Sequence, residues 1–301
     1  MLTGFAIIAV VIAVGYIVGR TGLLGDAAPR VLSRLVFFVL APCLLFTVLA
    51  DADVHTLFSL SLGVAAIAAF ASAGLFVVVA LILRRGLADT VIGALSSGYV
   101  NANNIGIPVA VYVLGDPALS APVILLQLLV LAPIALTLLD IATTGSASIG
   151  RILMQPIRNP LIIASALGVV VSAFDLSLPA VAIEPFRIIG AAAVPVVLLG
   201  FGISLHGRRP LAAGTGRAEV LTAVAIKLIV MPLVAWGVAT VLGLEGDLLR
   251  AAVVLAALPS AQNVFNYAQR YGAGEVIARD AVLISTFGSL PVVLLIALVS
   301  A

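Results

Sequence analysis

The chain has 301 residues, of which 63% are hydrophobic and 9% are charged, and its formal net charge is +2. Soluble domains are usually about 45–50% apolar and about 25% charged, so this composition excludes an ordinary soluble domain and indicates a chain embedded in membrane lipid. A nucleic-acid interface needs a concentrated basic patch, and the small net charge gives no support for one, so we expect no nucleic-acid partner.

Ten apolar segments follow one another along the chain, each close to the roughly 20 residues that a membrane-spanning helix needs. The predicted spans 1 to 10 cover residues 3–19, 31–50, 58–83, 90–114, 119–140, 158–174, 181–205, 218–242, 248–271 and 277–300. No Lys or Arg precedes the first span, as it would in a cleaved signal peptide, so we expect that span to be retained. The sequence therefore predicts an all-α polytopic membrane protein with ten transmembrane helices.

The basic residues favour one orientation in the membrane. Of the 15 Lys and Arg residues, all but Arg187, Lys227 and Arg250 lie in or beside the loops that follow odd-numbered spans. Loops that follow even-numbered spans carry acidic residues instead, such as Asp51 and Asp116. Cytoplasmic loops are enriched in Lys and Arg. We therefore expect the odd loops to face the cytoplasm and both termini to lie on the outer side of the cytoplasmic membrane.

An internal repeat appears when the first half of the chain is shifted by 153 residues. Arg34 then falls on Arg187, and Pro42 falls on Pro195. The order of such matches predicts two five-helix repeats, residues 1–140 and 158–301, joined by a cytoplasmic linker at 141–157. Because five is odd, the second repeat enters the membrane from the opposite side, and inverted repeats of this kind are typical of secondary transporters.

Predicted spans 4 and 9 hold corresponding places in the two repeats, and polar residues and prolines interrupt both. These residues are Asn101, Asn103, Asn104, Gly106 and Pro108 in span 4, and Pro259, Ser260, Gln262, Asn263 and Asn266 in span 9. Proline breaks a helix, and the backbone groups that it frees need partners in hydrocarbon, which amide side chains can supply. We expect Gly106 and Pro108 to make the first break, and a substrate to bind where the breaks meet. The alternative is a pair of proline kinks patched by amides; Pro42, Pro195 and Pro232, which lack an amide cluster, are interpreted as kinks.

Lys227 is the only lysine, and it lies about nine residues into span 8. At 1.5 Å per residue this is about 13 Å from the membrane surface, where an unpaired charge is costly. No acidic residue lies in the middle of a span to pair with it. We therefore expect the ammonium to meet an anionic ligand, with snorkelling or a local cluster of backbone carbonyls as the alternatives.

Three motifs make the chain similar to the auxin efflux carrier family, and in particular to its bacterial branch. Asn101, Gly106 and Pro108 form the pattern N-x4-G-x-P. The segments LPSAQNVFNYA at 258–268 and STFGSLP at 285–291 resemble the last two helices of the family. A basic residue five positions before a proline in span 8 also matches, as Lys227 and Pro232.

This resemblance implies that spans 4 and 9 cross at their breaks. It also implies a scaffold of spans 1, 2, 6 and 7, which commonly forms a homodimer, and a moving transport part of spans 3–5 and 8–10 with an elevator-like mechanism. The crossing-point residues of the family correspond to Asn101, Pro108 and Pro259. The chemistry and position of Asn103, Asn104, Gln262 and Asn263 add them to the expected substrate site, together with Lys227.

The expected function is secondary active or facilitative transport of a small organic anion, such as malonate or malate. Plant auxin carriers have a long loop between spans 5 and 6, which here is about 17 residues, and Val264 stands in place of their second proline in span 9. The alternatives are an auxin-like exporter of indole acids and a sodium-coupled carrier that resembles the bile acid–sodium symporter family. H⁺ and Na⁺ both stay open as coupling ions. We expect no enzyme, cofactor or metal site, because no nucleophile–base pair or metal-ligand spacing is present.

Overall fold

The structure is a computed structural model that describes residues 2–25, 27–52, 60–145, 158–205 and 216–299. Within these ranges the chain is helical apart from turns and short extended segments, which confirms the expected all-α class. Most of the predicted linker, residues 146–157, lies outside the described residues.

Twelve helices, α1 to α12, follow one another in the described part of the chain. They are α1 Leu2–Thr21, α2 Ala28–Ala50, α3 Leu60–Ile82, α4 Leu87–Gly98, α5 Ala102–Leu114, α6 Pro117–Thr144, α7 Pro160–Ala173, α8 Ala180–Leu205, α9 Arg217–Val241, α10 Gly246–Ala256, α11 Gln262–Tyr271 and α12 Glu275–Val299. Six of these, α2, α3, α6, α8, α9 and α12, are long and apolar enough to cross a membrane. Predicted spans 4 and 9 each appear as two helices, α4 with α5 and α10 with α11.

Several prolines change the helical turn without ending the helix. Five-residue π-helical turns precede Pro42, Pro133 and Pro232 by one residue. In the turn before Pro232, the N–H of Met231 donates to the carbonyl of Ile226, five residues back rather than four. Proline has no N–H, and its ring clashes with the carbonyl four residues back, so the wider turn relieves both problems. The helices continue through Pro42, Pro195 and Pro232, and the kinks expected at these prolines stay predictions.

Two compact units divide the chain. Unit 1 contains residues 1–59, 103–122 and 156–208, and unit 2 contains residues 60–102, 123–155 and 209–301. Span 4 is therefore divided at residue 102, and its second half groups with spans 1, 2, 6 and 7. This grouping differs from the sequence-based partition, which assigned all of span 4 to the transport part.

Glycines allow close helix packing inside unit 1. A Cβ added at Gly15 on α1 would overlap the carbonyl of Leu199 on α8, and one at Gly168 on α7 would overlap the carbonyl of Phe46 on α2. Gly15 and Gly168 are 153 residues apart, the shift that relates the two predicted repeats. Small residues let helix backbones approach closely in membranes, where the hydrophobic effect does not hold helices together.

The same device positions the end of α4 inside unit 2. A Cβ at Gly98 would lie 2.5 Å from the carbonyl oxygen of Ala69 on α3, and one at Gly93 would overlap the ring of Phe76 on the same helix. Phe76 belongs to a buried apolar cluster with Ala94 on α4 and Val220 on α9. The C-terminal end of α4 is therefore held against α3, and the chain leaves it at a fixed place.

A pair of glycine-to-alanine substitutions tests this packing. Gly98→Ala should lower the free energy of unfolding by about 1–3 kcal/mol, because its Cβ has no room beside Ala69. Gly74→Ala, on the same α3 that receives Gly98, places its Cβ in open space and should leave stability unchanged or raise it by about 0.5–1 kcal/mol. The measurement is the thermal midpoint of the purified protein in detergent. Equal midpoints for the two variants would contradict the close approach.

Candidate functional site

Two short extended segments of unit 2 pair with each other where α4 and α10 end. The backbone N–H of Asn101 donates to the carbonyl of Pro259 at 2.8 Å, and the N–H of Ala261 donates to the carbonyl of Tyr99 at 3.0 Å. Val100 and Ser260 thus face each other as an antiparallel pair. Buried N–H and C=O groups require hydrogen-bond partners, and a helix break removes the partners within the helix. Here each break supplies backbone partners for the other. We call residues 99–101 and 258–261 the paired breaks.

Hydrogen bonds to α6, α4 and α12 hold the paired breaks. Gln127 on α6 donates its Nε2 to the carbonyl of Val100 at 2.7 Å, and the Oγ of Ser260 donates to the carbonyl of Ser96 at 2.5 Å. The N–H of Ser260 donates to the Oγ of Ser285 on α12 at 3.0 Å. The three side chains that make these bonds, Gln127, Ser260 and Ser285, are all buried.

Sequence reasoning missed Gln127 and Ser285 as parts of the site. The signal for Gln127 was present, because it is the only amide side chain in predicted span 5. Ser285 is the first residue of the motif STFGSLP that resembles the family, but its chemistry alone did not mark it, because isolated serines occur in several spans and often bond only to their own helix, as Ser289 does with Thr286.

Tyrosines and an amide form a second polar cluster, on the side of the paired breaks where α11 begins. The Tyr99 side chain is fully buried, and the side chains of Tyr267 and Asn263 on α11 lie beside it. The first turn of α11 begins at Gln262, and no side chain caps it in the described part of the chain. An uncapped helix N-terminus carries partial positive charge and free N–H donors. Asn263 and Gln262 therefore lie beside donors suited to an anion.

Lys227 lies at the C-terminal end of α10, the helix that precedes the second break. Its side chain is completely buried, and its Nζ donates to the carbonyl of Ala256, the last residue of α10, at 2.7 Å. The Sδ of Met231, one turn along α9, accepts a second contact at 3.1 Å. The sequence left three interpretations of Lys227 open: an anionic ligand, snorkelling, or backbone carbonyls. The structure shows a backbone carbonyl as a partner of its ammonium. Contact with an anionic ligand stays a prediction.

The asparagines that follow the first break belong to unit 1. The Nδ2 of Asn103 donates to the Oδ1 of Asn104 at 3.0 Å, and the Oδ1 of Asn103 is buried with no hydrogen-bond partner among the described residues. Pro108 is buried within α5.

The expectation that Gly106 and Pro108 make the first break is wrong. α4 ends at Gly98, the break occupies residues 99–101, and α5 runs through both residues. A π-helical turn at Ala102–Gly106 precedes Pro108 by one residue and accommodates its missing N–H, as at Pro42 and Pro232. Pro259 does lie inside the second break, between α10 and α11.

Charged residues of unit 2 pair with one another near helix ends. Arg85 forms an ion pair with the buried carboxylate of Glu219, and Arg279 bonds to the buried Asp280 at 2.7 Å. The hydroxyl of Tyr271 donates to Asp140 at 2.7 Å. In the described ranges, no group of three or more His, Cys, Asp and Glu side chains has the arrangement of a metal site.

Comparison with known proteins identifies the family. The model of the family described as "Membrane transport protein" matches residues 1–148 and again residues 146–297. The chain is a member of the auxin efflux carrier family of membrane transport proteins. The resemblance carried by Asn101, Gly106 and Pro108 is thereby confirmed at the level of the family, and the protein is a multi-pass membrane transporter.

The curated relatives match only part of this carrier. Over 142 residues it is 32% identical to Probable auxin efflux carrier component 5c of Oryza sativa subsp. japonica, a match that covers 46% of the chain and 38% of the relative. It is 28% identical over 142 residues to Auxin efflux carrier component 7 of Arabidopsis thaliana, covering 46% of the chain and 23% of the relative. The matched stretch therefore spans well under half of these relatives' lengths.

The hydroxyl of Ser260 offers a direct test of how the paired breaks are held. Ser260→Ala removes the 2.5 Å bond to Ser96 and leaves a buried carbonyl without its side-chain partner, so we expect a loss of about 1–3 kcal/mol in stability. Ser289→Ala is the control, because this buried serine bonds only within its own helix. Thermal unfolding in detergent measures both. A Ser260→Ala midpoint no lower than that of Ser289→Ala would contradict the assigned role.

Proposed function

We propose that this carrier transports a small organic anion, a carboxylate such as malonate or malate, across the cytoplasmic membrane by secondary active or facilitative transport. The observation that carries the proposal is the pairing of two helix breaks through Asn101–Pro259 and Ala261–Tyr99 backbone bonds. An apolar chain that gives up helical hydrogen bonds at two places leaves helix ends there that can hold a ligand. Ligand binding at such discontinuous helices is a general feature of secondary transporters.

The donors near the breaks suit a carboxylate. The uncapped N-terminus of α11 supplies N–H groups, and Gln262 and Asn263 add amide donors beside it. Of the substrate-binding residues predicted from the sequence, Asn101, Pro259, Gln262 and Asn263 lie at the paired breaks or in the first turn of α11, and we propose that these bind the substrate. A part of Asn103, Asn104, Pro108 and Lys227 in substrate binding stays a prediction. Amides and a helix end bind an anion without the strong ion pair that would slow its release. This property suits a carrier, which must release its substrate on the other side.

For the mechanism, we propose elevator-like alternating access between a scaffold and a transport part. The paired breaks, Gln127 and Lys227 all lie within unit 2, so a substrate bound there would travel with that unit. Unit 1 contains α1, α2, α7 and α8, and we propose that it forms the scaffold of a homodimer. The ten-span inverted repeat, with both termini on the outer side, completes this proposal.

Export of an indole acid is the second candidate function, because the relatives above are named auxin efflux carriers. Sodium coupling, as in carriers that resemble bile acid–sodium symporters, and proton coupling are the further alternatives. Uptake into liposomes separates all of these. The panel consists of malonate, malate and an indole acid, each measured with and without a Na⁺ gradient and a pH gradient. Substrate-dependent uptake of malonate or malate would support the first proposal. Absence of uptake for every carboxylate in the panel would contradict it.

Two asparagines of α11 give a matched test of the site. Asn263 is half-buried and lies beside Tyr99, whereas Asn266, three residues later, is exposed. Asn263→Ala should reduce carboxylate uptake at least about tenfold, since one well-placed hydrogen bond to a charged group is worth about 1.5–3 kcal/mol. Asn266→Ala should transport at close to the rate of the unaltered carrier. Equal uptake by the two variants would remove Asn263 from the site.

A further inference from the structure

The ammonium of Lys227 is a buried cation held by the end of a helix. No part of its side chain is exposed, and its neighbours Ile226 and Leu228 belong to the buried apolar cluster of unit 2. Burying an ammonium costs several kcal/mol unless nearby groups replace its hydration. Two groups do so in the structure: the carbonyl of Ala256 at 2.7 Å and the Sδ of Met231 at 3.1 Å.

The carbonyl that Lys227 meets is one that the helix leaves free. α10 has 11 residues and ends at Ala256, three residues before Pro259. The neighbouring carbonyls of Val253 and Leu255 accept the N–H groups of Ala257 and Leu258. The carbonyls of a helix C-terminus carry partial negative charge, which favours a cation there. The Ala256 carbonyl thus makes with Lys227 the interaction that a free helix C-terminus would otherwise make with a metal ion or with water.

In transporters with broken helices, half-helix C-termini coordinate the coupling Na⁺. We propose that the ammonium of Lys227 occupies such a cation position in this carrier permanently, as a tethered substitute for a bound inorganic cation. One consequence of this inference is that substrate binding needs no Na⁺, and that consequence rests on the proposed function. Lys227 is then a positioning residue, which fixes the end of α10 and the paired breaks that follow it.

Placement of the lysine follows from the sequence around it. Lys227 lies in the π-helical turn Ile226–Val230 that Pro232 induces, and Met231 is one turn later on the same face of α9. The turn and the thioether are therefore both products of the segment IKLIVMP. A soft, flexible thioether adapts its position to its neighbours better than a branched side chain does.

Chemical rescue tests the cation position without any substrate. Lys227→Ala removes the ammonium and most of its stem, so n-propylammonium chloride should bind in the vacated space and raise the thermal midpoint of the purified variant in a saturable way, by about 3 °C. n-Propanol, of similar size but uncharged, should give no such rise. The unaltered carrier should respond to neither compound, and its midpoint should be the same in NaCl and in choline chloride. A rise with n-propanol equal to that with n-propylammonium would overturn the proposal, as would stabilisation of the unaltered carrier by Na⁺.

A second variant covers the case in which Lys227→Ala does not fold. Lys227→Gln keeps a donor for the Ala256 carbonyl but carries no charge, and we expect it to fold and to lose at least about tenfold in carboxylate uptake. Uptake at the rate of the unaltered carrier would show that the charge is not needed and would overturn the proposal. If no carboxylate is transported by any form, the proposed function fails, while the n-propylammonium measurement still decides the cation position.

Discussion

The rest of the structure depends on one constraint: inside a membrane, backbone groups freed by a helix break must find partners within the protein. Here the two breaks satisfy each other. Asn101 bonds to Pro259, and Ala261 bonds to Tyr99, so the two unwound segments form one short antiparallel pair. Gln127, Ser260 and Ser285 complete it with bonds from side chains that come from distant parts of the sequence. Unwinding at either place alone would leave these groups without partners.

Opposite ends of helices meet at this pair, and they differ in charge. α10 ends in carbonyls, one of which holds the ammonium of Lys227. α11 begins with uncapped N–H groups beside Gln262 and Asn263. In our account, the first end is already occupied by the chain's own cation, and the second stays available to an anionic substrate. The division explains how one small polar site within unit 2 serves both as a fixed structural element and as a place for reversible binding.

The sequence predicted the breaks better than it predicted their boundaries. Pro259 lies in its break because the residues around it, Leu258 to Ala261, pair with another segment. Pro108 has the same chemistry, yet the π-helical turn before it lets α5 continue, so the break falls at Tyr99–Asn101 instead. Proline marks a weak place in a helix, and tertiary pairing decides whether the helix opens there. Sequence reasoning considered amides near prolines and therefore missed Gln127, whose partner is 27 residues away.

Disulfide cross-linking of the paired breaks tests the central claim most directly. Val100 and Ser260 face each other without direct backbone bonds between them, a geometry in which Cα atoms are about 4.5 Å apart and a disulfide fits. In a background with Cys43→Ala, which removes the only native cysteine, the pair Val100→Cys and Ser260→Cys should cross-link on mild oxidation. The cross-linked carrier should still take up its substrate, because both positions lie in the one unit that we propose to move. Failure to cross-link, or a loss of uptake that returns on reduction, would contradict the account.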